Sequence, residues 1–366
     1  MLLQRIGVAQ RERLIARVVC VLGRGVGVLA AHTALVRATY AAQEVMSQAV
    51  LFNQSWDEEH VTARFCFELP PEIRFSLFSR TQEGRVGADF IWWFVDEQAA
   101  FGCLTQAKKL RCSGGVWRIG TDSPRKTLAQ MRRLHAVADI LNIPASYVFY
   151  AGDARYRSSM LCDKNHHGPL CTVRDGAAVT FLPTLIPEAT VRAEAQFGDR
   201  HDRCRWLTTT GAIDAFHEAV PISWLVDPTA WRKNTSRRCA TYRSLGLEHG
   251  HELLDFLTTE QTGARGIARS VLEIIAGIAI TQFATITMEP DASPHEVGAS
   301  DAPTFVSYPD TRGHFSRPYY RFVLRGLRHR APDYVERCLS GDVPSFVSTN
   351  ADGLIVVDLT PEKLMH

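Results

Sequence analysis

The stretch "GADFIWWFVDEQAAFGCLTQAKKL", residues 87–110, places an acid, an amide and an amine where an apolar pattern calls for aliphatic side chains. Asp89 opens one apolar run, and Gln106 and Lys108 stand near the end of the next. Successive strand residues point to opposite faces, so Gln106 and Lys108 share one side and Ala107 takes the other. Lone charges are expensive to bury and persist when paired or bound to metal. A carboxylate oxygen and an amide oxygen are hard ligands of the kind Mg²⁺ takes. An ammonium beside them can offset phosphate charge or help a water lose its proton. The set suits hydrolysis of a phosphodiester. The competing reading is an internal Asp89–Lys108 ion pair that stabilises a sheet edge.

These side chains need strands and flanking helices to hold them. Residues 41–69 have helical character, with Asp57 as N-cap of "EEHVTARFCFEL" and acids in its first turn. Alternation predicts strands at 73–79, 89–95 and 101–108, the last two joined by "DEQAA". Pro124 starts a helix whose Leu128, Met131, Leu134, Ala138 and Leu141 recur at helical spacing, and Pro144 ends it. "SYVFYAG" (146–152) reads as a buried strand. A helix that leads back to a strand of the same sheet implies a crossover and some parallel pairing. Further on, "AVTFLP", "YYRFVLRGL" and "GLIVVDL" (353–359) read as strands. "GAIDAFHEAV", "EHGHELLDFLTTEQ" and "GIARSVLEIIAGIAITQFATITM" read as helices, and 289–318 as a long exposed loop.

The order helix–strand–strand–strand–helix–strand, with Asp89 on the second strand and Gln106-x-Lys108 on the third, resembles the PD-(D/E)xK, restriction-endonuclease-like superfamily. More narrowly, "GADFIWWF", "QAKKL" and the later "YVFY" resemble an uncharacterised bacterial family with G-A-D-x-x-W-W and Q-A-K signatures. The resemblance covers about residues 55–150. It implies an α/β fold with a mixed central sheet flanked by helices. It also implies a Mg²⁺- or Mn²⁺-dependent nuclease acting on DNA ahead of RNA, with bacterial defence as a setting. By it, Asp89 is the metal-binding acid, Gln106 the second ligand and Lys108 the catalytic lysine. A first-helix glutamate completes the set: Glu59, with Glu58 and Glu44 behind it. Gln130 is a candidate for site support. Gln106 departs from the usual second carboxylate, which favours the alternative of a non-catalytic nucleic-acid-binding or regulatory module.

Arg125, Lys126, Arg132 and Arg133 follow the site on one helix, and Arg232, Lys233, Arg237 and Arg238 cluster later beside Trp231. Cations neutralise phosphates and aromatics stack on bases, so both runs are candidate nucleic-acid contacts. A third basic run, "RFVLRGLRHR", lies beside Tyr319 and Tyr320. Cys162, His166, His167, Cys171 and Cys204 match no compact zinc spacing, and zinc is not expected. Trp92 and Trp93 are adjacent and must face opposite sides of their strand, one in the core and one under a helix. Gly25-x-Gly27-x-x-Ala30 has dinucleotide-turn spacing, without the second strand and acid that such a site needs.

With 366 residues and 46% apolar content, the chain can build a substantial core. A net charge of +2 neither advertises nor excludes a nucleic-acid partner. Nine irregularly spaced cysteines read as reduced thiols of a cytoplasmic protein. Residues 1–43 carry six arginines against the single acid Glu12, and read as a loosely attached leader or as sequence upstream of a start at Met46. Arg24 interrupts their apolar run, so no membrane span is expected. The expected organisation is this leader, a nuclease-like core at 44–155, and an α+β elaboration at 156–366 that selects substrate.

Overall fold

A computed structural model describes residues 26–69, 73–78, 88–113, 116–119, 124–159, 171–185, 219–227, 256, 261–283, 290–291, 310–311 and 319–360. The chain opens with helix α1 (Val26–Leu51). Leu35, Ala38, Ala42 and Met46 are fully buried along it, at a spacing that makes one apolar stripe. From Val26 onward the supposed leader is therefore part of the core, and a start at Met46 would remove most of that stripe. Residues 1–25 lie outside the described ones. A Cβ at Gly27 would meet the Thr360 and Leu359 carbonyl oxygens at 2.4 and 2.6 Å. Gly27 thus lets a helix approach the C-terminal backbone. Those carbonyls fill the space beside Gly27 that a pyrophosphate would need in a dinucleotide turn. Gly25 lies outside the described residues.

Helix α2 (Glu58–Phe67) is capped by Asp57, whose Oδ1 accepts from His60 N at 2.6 Å. Strands β1 (Ile73–Leu77), β2 (Phe90–Val95), β3 (Ala100–Ser113) and β4 (Val116–Ile119) follow, then helix α3 (Pro124–Leu141) and strand β5 (Ala145–Tyr150). Two short helices, α4 (Ala154–Ser159) and α5 (Thr172–Gly176), lead to β6 (Val179–Pro183) and β7 (Val220–Pro221). A 3₁₀ turn (Ile222–Leu225) and helix α6 (Gly263–Phe283) come next, then the small pair β8 (Pro290–Asp291) and β9 (Asp310–Thr311). Helix α7 (Tyr319–Leu324), strand β10 (Leu327–Arg328), helices α8 (Asp333–Leu339) and α9 (Ser345–Ser348), and strand β11 (Gly353–Asp358) complete the chain.

The strand expected over "YYRFVLRGL" is instead α7 followed by two-residue β10. An apolar run this short does not separate the two conformations. The expected helices at 211–220 and 248–261 fall almost wholly outside the described residues, as does most of the expected loop at 289–318.

The central sheet is mixed and open, with order β1–β11–β2–β3–β5–β6–β7, and with β4 and β10 paired to β3. β3 pairs antiparallel with β2 and parallel with β5 across the α3 crossover, as the helix between them requires. Strand β11 inserts between β1 and β2, antiparallel to the first and parallel to the second. Its buried run "GLIVV" suits a strand covered on both faces. The sheet thus takes a strand from the far C-terminal end, and the expected core at 44–155 is not closed at residue 155.

Both faces of the sheet are apolar. Trp92 meets Phe65 of α2 at a centroid distance of 6.2 Å. Trp93, fully buried on the other face, donates from Nε1 to Tyr334 of α8 at 3.0 Å. A Cβ at Gly102 would come within 2.7 Å of the Trp93 ring, so this glycine on β3 makes room for the indole. Buried Arg269 and Glu273 pair on α6 at 2.9 Å. Among the described residues no helix is long and apolar enough to cross a membrane.

Candidate active site

The β2–β3 ladder loses its register at Asp89. Phe90 pairs with Thr105, yet the Asp89 N–H also donates to the Thr105 carbonyl, at 2.9 Å. The next free donor on β3, Ala107 N–H, is taken by the Asp89 carboxylate, with Oδ2 accepting at 2.5 Å. Asp89 thereby replaces a strand carbonyl with its side chain and grips β3 on both sides of Gln106. Its own carbonyl accepts from Asp352 N at 3.2 Å, tying the turn before β11 to the same point. Burial pushes the Asp89 carboxyl above its usual range. The Ala107 N–H and the Lys108 charge oppose that rise, and the nearby Glu59 charge adds to it.

Gln106 and Lys108 share one face of β3, as alternation predicts, and both are buried at 4% and 5% exposure. Lys108 Nζ donates to Gln130 Oε1 of α3 at 2.7 Å. The residue read as site support therefore holds the lysine head. Burial lowers the Lys108 pKa, while the Glu58 and Asp89 charges pull it back up. Among the described residues no direct ion pair joins Asp89 to Lys108, so the edge-stabilising salt bridge is not formed. Gln106 Oε1 is buried and accepts no hydrogen bond.

The acids of α2 divide differently from the expectation. Glu58 is half-buried, and its Oε1 accepts from Lys109 N at 2.7 Å. Glu59, the first choice from sequence, is exposed, although its charge acts on Asp89. Glu44 is exposed on α1, with Gln48 donating to it at 3.4 Å. It stands on a different helix from the two acids coupled to the site. Sequence reasoning also passed over Lys109 and its neighbours. Lys109 is buried, its Nζ donates to the Trp56 carbonyl, and it lies 4.0 Å over the Trp56 ring. The available signal was the lysine doublet in "QAKKL", with one lysine on each face of a buried strand.

The donor chemistry of the site fits a hard divalent cation. Gln106 Oε1 is a buried oxygen lacking a donor, and Asp89 uses Oδ2 for the backbone, which leaves its other oxygen for a ligand. Among the described residues no three His, Cys, Asp or Glu side chains are gathered closely enough to hold an ion alone. The amide oxygen would therefore be needed beside the carboxylate.

Arg132 and Arg133 are exposed on α3, within three residues of Gln130. The side chains of Arg125 and Lys126 in its first turn, and the whole run containing Arg232, Lys233, Arg237 and Arg238, lie outside the described residues. Two arginines of the basic run after Tyr320 are held in structural contacts, while Arg330 is exposed and the side chain of Arg321 lies outside the described residues. Arg325 pairs with Asp139 at 2.5 Å, and buried Arg328 donates to the Asn142 carbonyl at 2.8 Å. Of the cysteine–histidine group only Cys171 is described. It caps α5, its sulfur accepting from Arg174 N at 3.4 Å; Cys162, His166, His167 and Cys204 lie outside the described residues.

Fold and site together define a mixed α/β protein with an open central sheet flanked by helices and an acid–amide–lysine cluster on its two middle strands. The chain belongs to a family of unknown function, DUF6615, whose model matches residues 32–359, from within α1 to just past β11. No curated protein and no solved structure matches the chain.

Proposed function

We propose that the chain is a metal-dependent nuclease with a restriction-endonuclease-like active site that hydrolyses phosphodiester bonds of DNA. The observation that carries this reading is the buried, donorless oxygen of Gln106. Gln106 lies in sequence between the two β3 residues that Asp89 grips, and two residues from a buried lysine. Asp89 and Gln106 would hold Mg²⁺ or Mn²⁺, with Glu58 ahead of Glu59 as the acid supplied by α2. Bound there, the ion supplies Lewis acidity to the phosphate and acidifies water. Gln130 fixes the Lys108 ammonium, which faces the charge that develops on phosphorus oxygens. Burial lowers the Lys108 pKa and the Glu58 and Asp89 charges oppose the shift; a lysine displaced in this direction is better suited to proton exchange. Arg132 and Arg133 extend positive charge along the helix that holds Lys108, where phosphates flanking the cut would lie. The free, buried thiols of Cys66, Cys103 and Cys338 support a cytoplasmic setting, and bacterial defence is the role this reading carries.

A neutral amide supplies one charge fewer than the usual second carboxylate. That observation supports a second reading, a binding or regulatory module that keeps the fold without cleaving. Purified full-length protein separates the two. Plasmid, linear duplex, single-stranded DNA and RNA are incubated with Mg²⁺, Mn²⁺ or chelator. The nuclease reading expects metal-dependent cleavage that falls on the order of 10²–10⁴-fold in both Asp89→Ala and Lys108→Met. Binding without cleavage, indifferent to both substitutions, establishes the module instead.

A further inference from the structure

The second lysine of "QAKKL" does not share the face of the first, and three of its contacts lie on one short segment. Lys109 Nζ donates to the Trp56 carbonyl and sits over the Trp56 indole, while the Lys109 N–H donates to Glu58 Oε1. Trp56 and Glu58 flank Asp57, the cap of α2. The cross-strand partner of Lys109 is Tyr150 on β5. Tyr150 Oη shares a 2.7 Å hydrogen bond with Thr62 Oγ1, which donates to the Glu58 carbonyl at 2.6 Å. A single register position of the sheet therefore meets the start of α2 at two points, Lys109 at residues 56–58 and Tyr150 through Thr62. A buried ammonium needs such partners, since without them its desolvation is uncompensated. A carbonyl oxygen and an indole face serve a cation well.

We propose that Lys109 is a positioning residue: by holding Trp56 and Glu58 it fixes the first turn of α2, and so sets the Glu58 and Glu59 carboxylates beside Asp89 and Lys108. This rests on the nuclease reading of that site. Lys109 takes no part in the chemistry, because its side chain leaves β3 on the α2 face while Lys108 leaves on the α3 face. Its effect passes through the acids of α2. Groups that orient ligands in this way commonly change metal affinity by about 10–100-fold when removed.

Three readouts on the full chain test it, with Lys109→Met, which keeps the buried stem, and Lys109→Arg, which keeps a cation able to meet a carbonyl and an indole. Amide hydrogen exchange over residues 58–62 is expected to quicken on the order of tenfold in Lys109→Met and to recover in Lys109→Arg. Mn²⁺ affinity, followed by the paramagnetic signal of the free ion without nucleic acid, is expected to weaken on the order of tenfold in Lys109→Met. The half-saturating Mn²⁺ for cleavage should rise with it while the saturating rate stays well above that of Lys108→Met. Wild-type exchange across α2 in Lys109→Met overturns the proposal. So does a loosened α2 with unchanged Mn²⁺ affinity, and so does loss of the saturating rate at wild-type Mn²⁺ affinity. If Lys109→Met does not fold, Trp56→Leu removes the ring under the ammonium and carries the same comparison. A wild-type chain that neither binds Mn²⁺ nor cuts nucleic acid sinks the nuclease reading and the catalytic consequence given to Lys109, while exchange over residues 58–62 separately reports whether the clamp exists.

Discussion

Burying the Asp89 carboxyl carries a cost in desolvation. Burial holds its carboxyl above the usual range, so the folded chain keeps that proton at pH values where the unfolded chain has already released it. Stability contributed by the protonated form is lost as pH rises from the unfolded value near 3.8 through the raised folded one. Lys108 mirrors it: its folded pKa is depressed, so stability rises with pH from that value up to the unfolded lysine range. Asp89→Asn keeps an oxygen for Ala107 N–H and removes the charge. The variant is expected to gain about 1 kcal/mol over wild type at pH 7–8, to lose that advantage below about pH 4, and, on the nuclease reading, to cleave on the order of 10²–10⁴-fold more slowly. Thermal melts of both proteins at the two pH values check it. A destabilised Asp89→Asn at neutral pH would instead mark Asp89 as a stabilising charge, the structural role that competes with catalysis. Asp89, Gln106 and Lys108 were legible in the sequence because they interrupt an apolar alternation whose period fixes their faces. Glu58 and Glu59 were not separable, because adjacent residues at a helix start differ only in rotation about an axis whose placement the sequence does not give. Lys109 had only the lysine doublet to mark it, because contacts to a main-chain carbonyl and a ring 53 residues away leave no local pattern.

Among the elements, α1 departs most from its reading. Its arginine-rich approach and the interrupting His32 resemble a detached leader, yet Leu35 and Met46 are fully buried. Met46 packs so closely on Gly152 that a Cβ there would fall 2.0 Å from the methionine Cβ. Leu35→Ala is expected to cost about 2–5 kcal/mol, the range for emptying a buried leucine site. A chain started at Met46 should fail to give a cooperative melt, because it lacks Leu35, Ala38 and Ala42 together. Urea unfolding followed by circular dichroism measures the first effect, and expression with circular dichroism tests the second. The strands and α3 were readable because each has its own period or breaker: Pro124 and Pro144 bracket α3, and alternation marks β2 and β3. The short α7 was not, since three consecutive buried residues, Phe322, Val323 and Leu324, fit a strand or a helix turn equally. The segment's surroundings include His135 of α3, which stacks on Phe322 at 5.7 Å.

At the scale of the whole molecule, the insertion of β11 makes the two ends of the chain interdependent. β1 has β11 as its partner along the sheet path, and β2 has β11 on the side away from β3. "GLIVVDL" was readable as a strand, but no local signal says which gap in a sheet a strand will fill, because that is settled by long-range pairing. Removing residues after 352 should therefore do more than shorten the protein. β1 loses its neighbour, and β2 exposes a central, apolar edge of a kind that natural sheets cover. Asp89 lies one residue before that edge, with its carbonyl bonded to Asp352, so the loss reaches the site as well as the sheet. The expected outcome is a truncated chain that elutes as aggregate and binds an apolar dye, while the full chain does not. The isolated segment 44–155 should behave the same way, since it lacks β11, β6 and most of α1. Size-exclusion chromatography with dye fluorescence on the three chains decides the matter. A monomeric, cooperatively melting segment 44–155 would show that the first strands and α3 close a core by themselves, and that β11 only adds to a unit already complete.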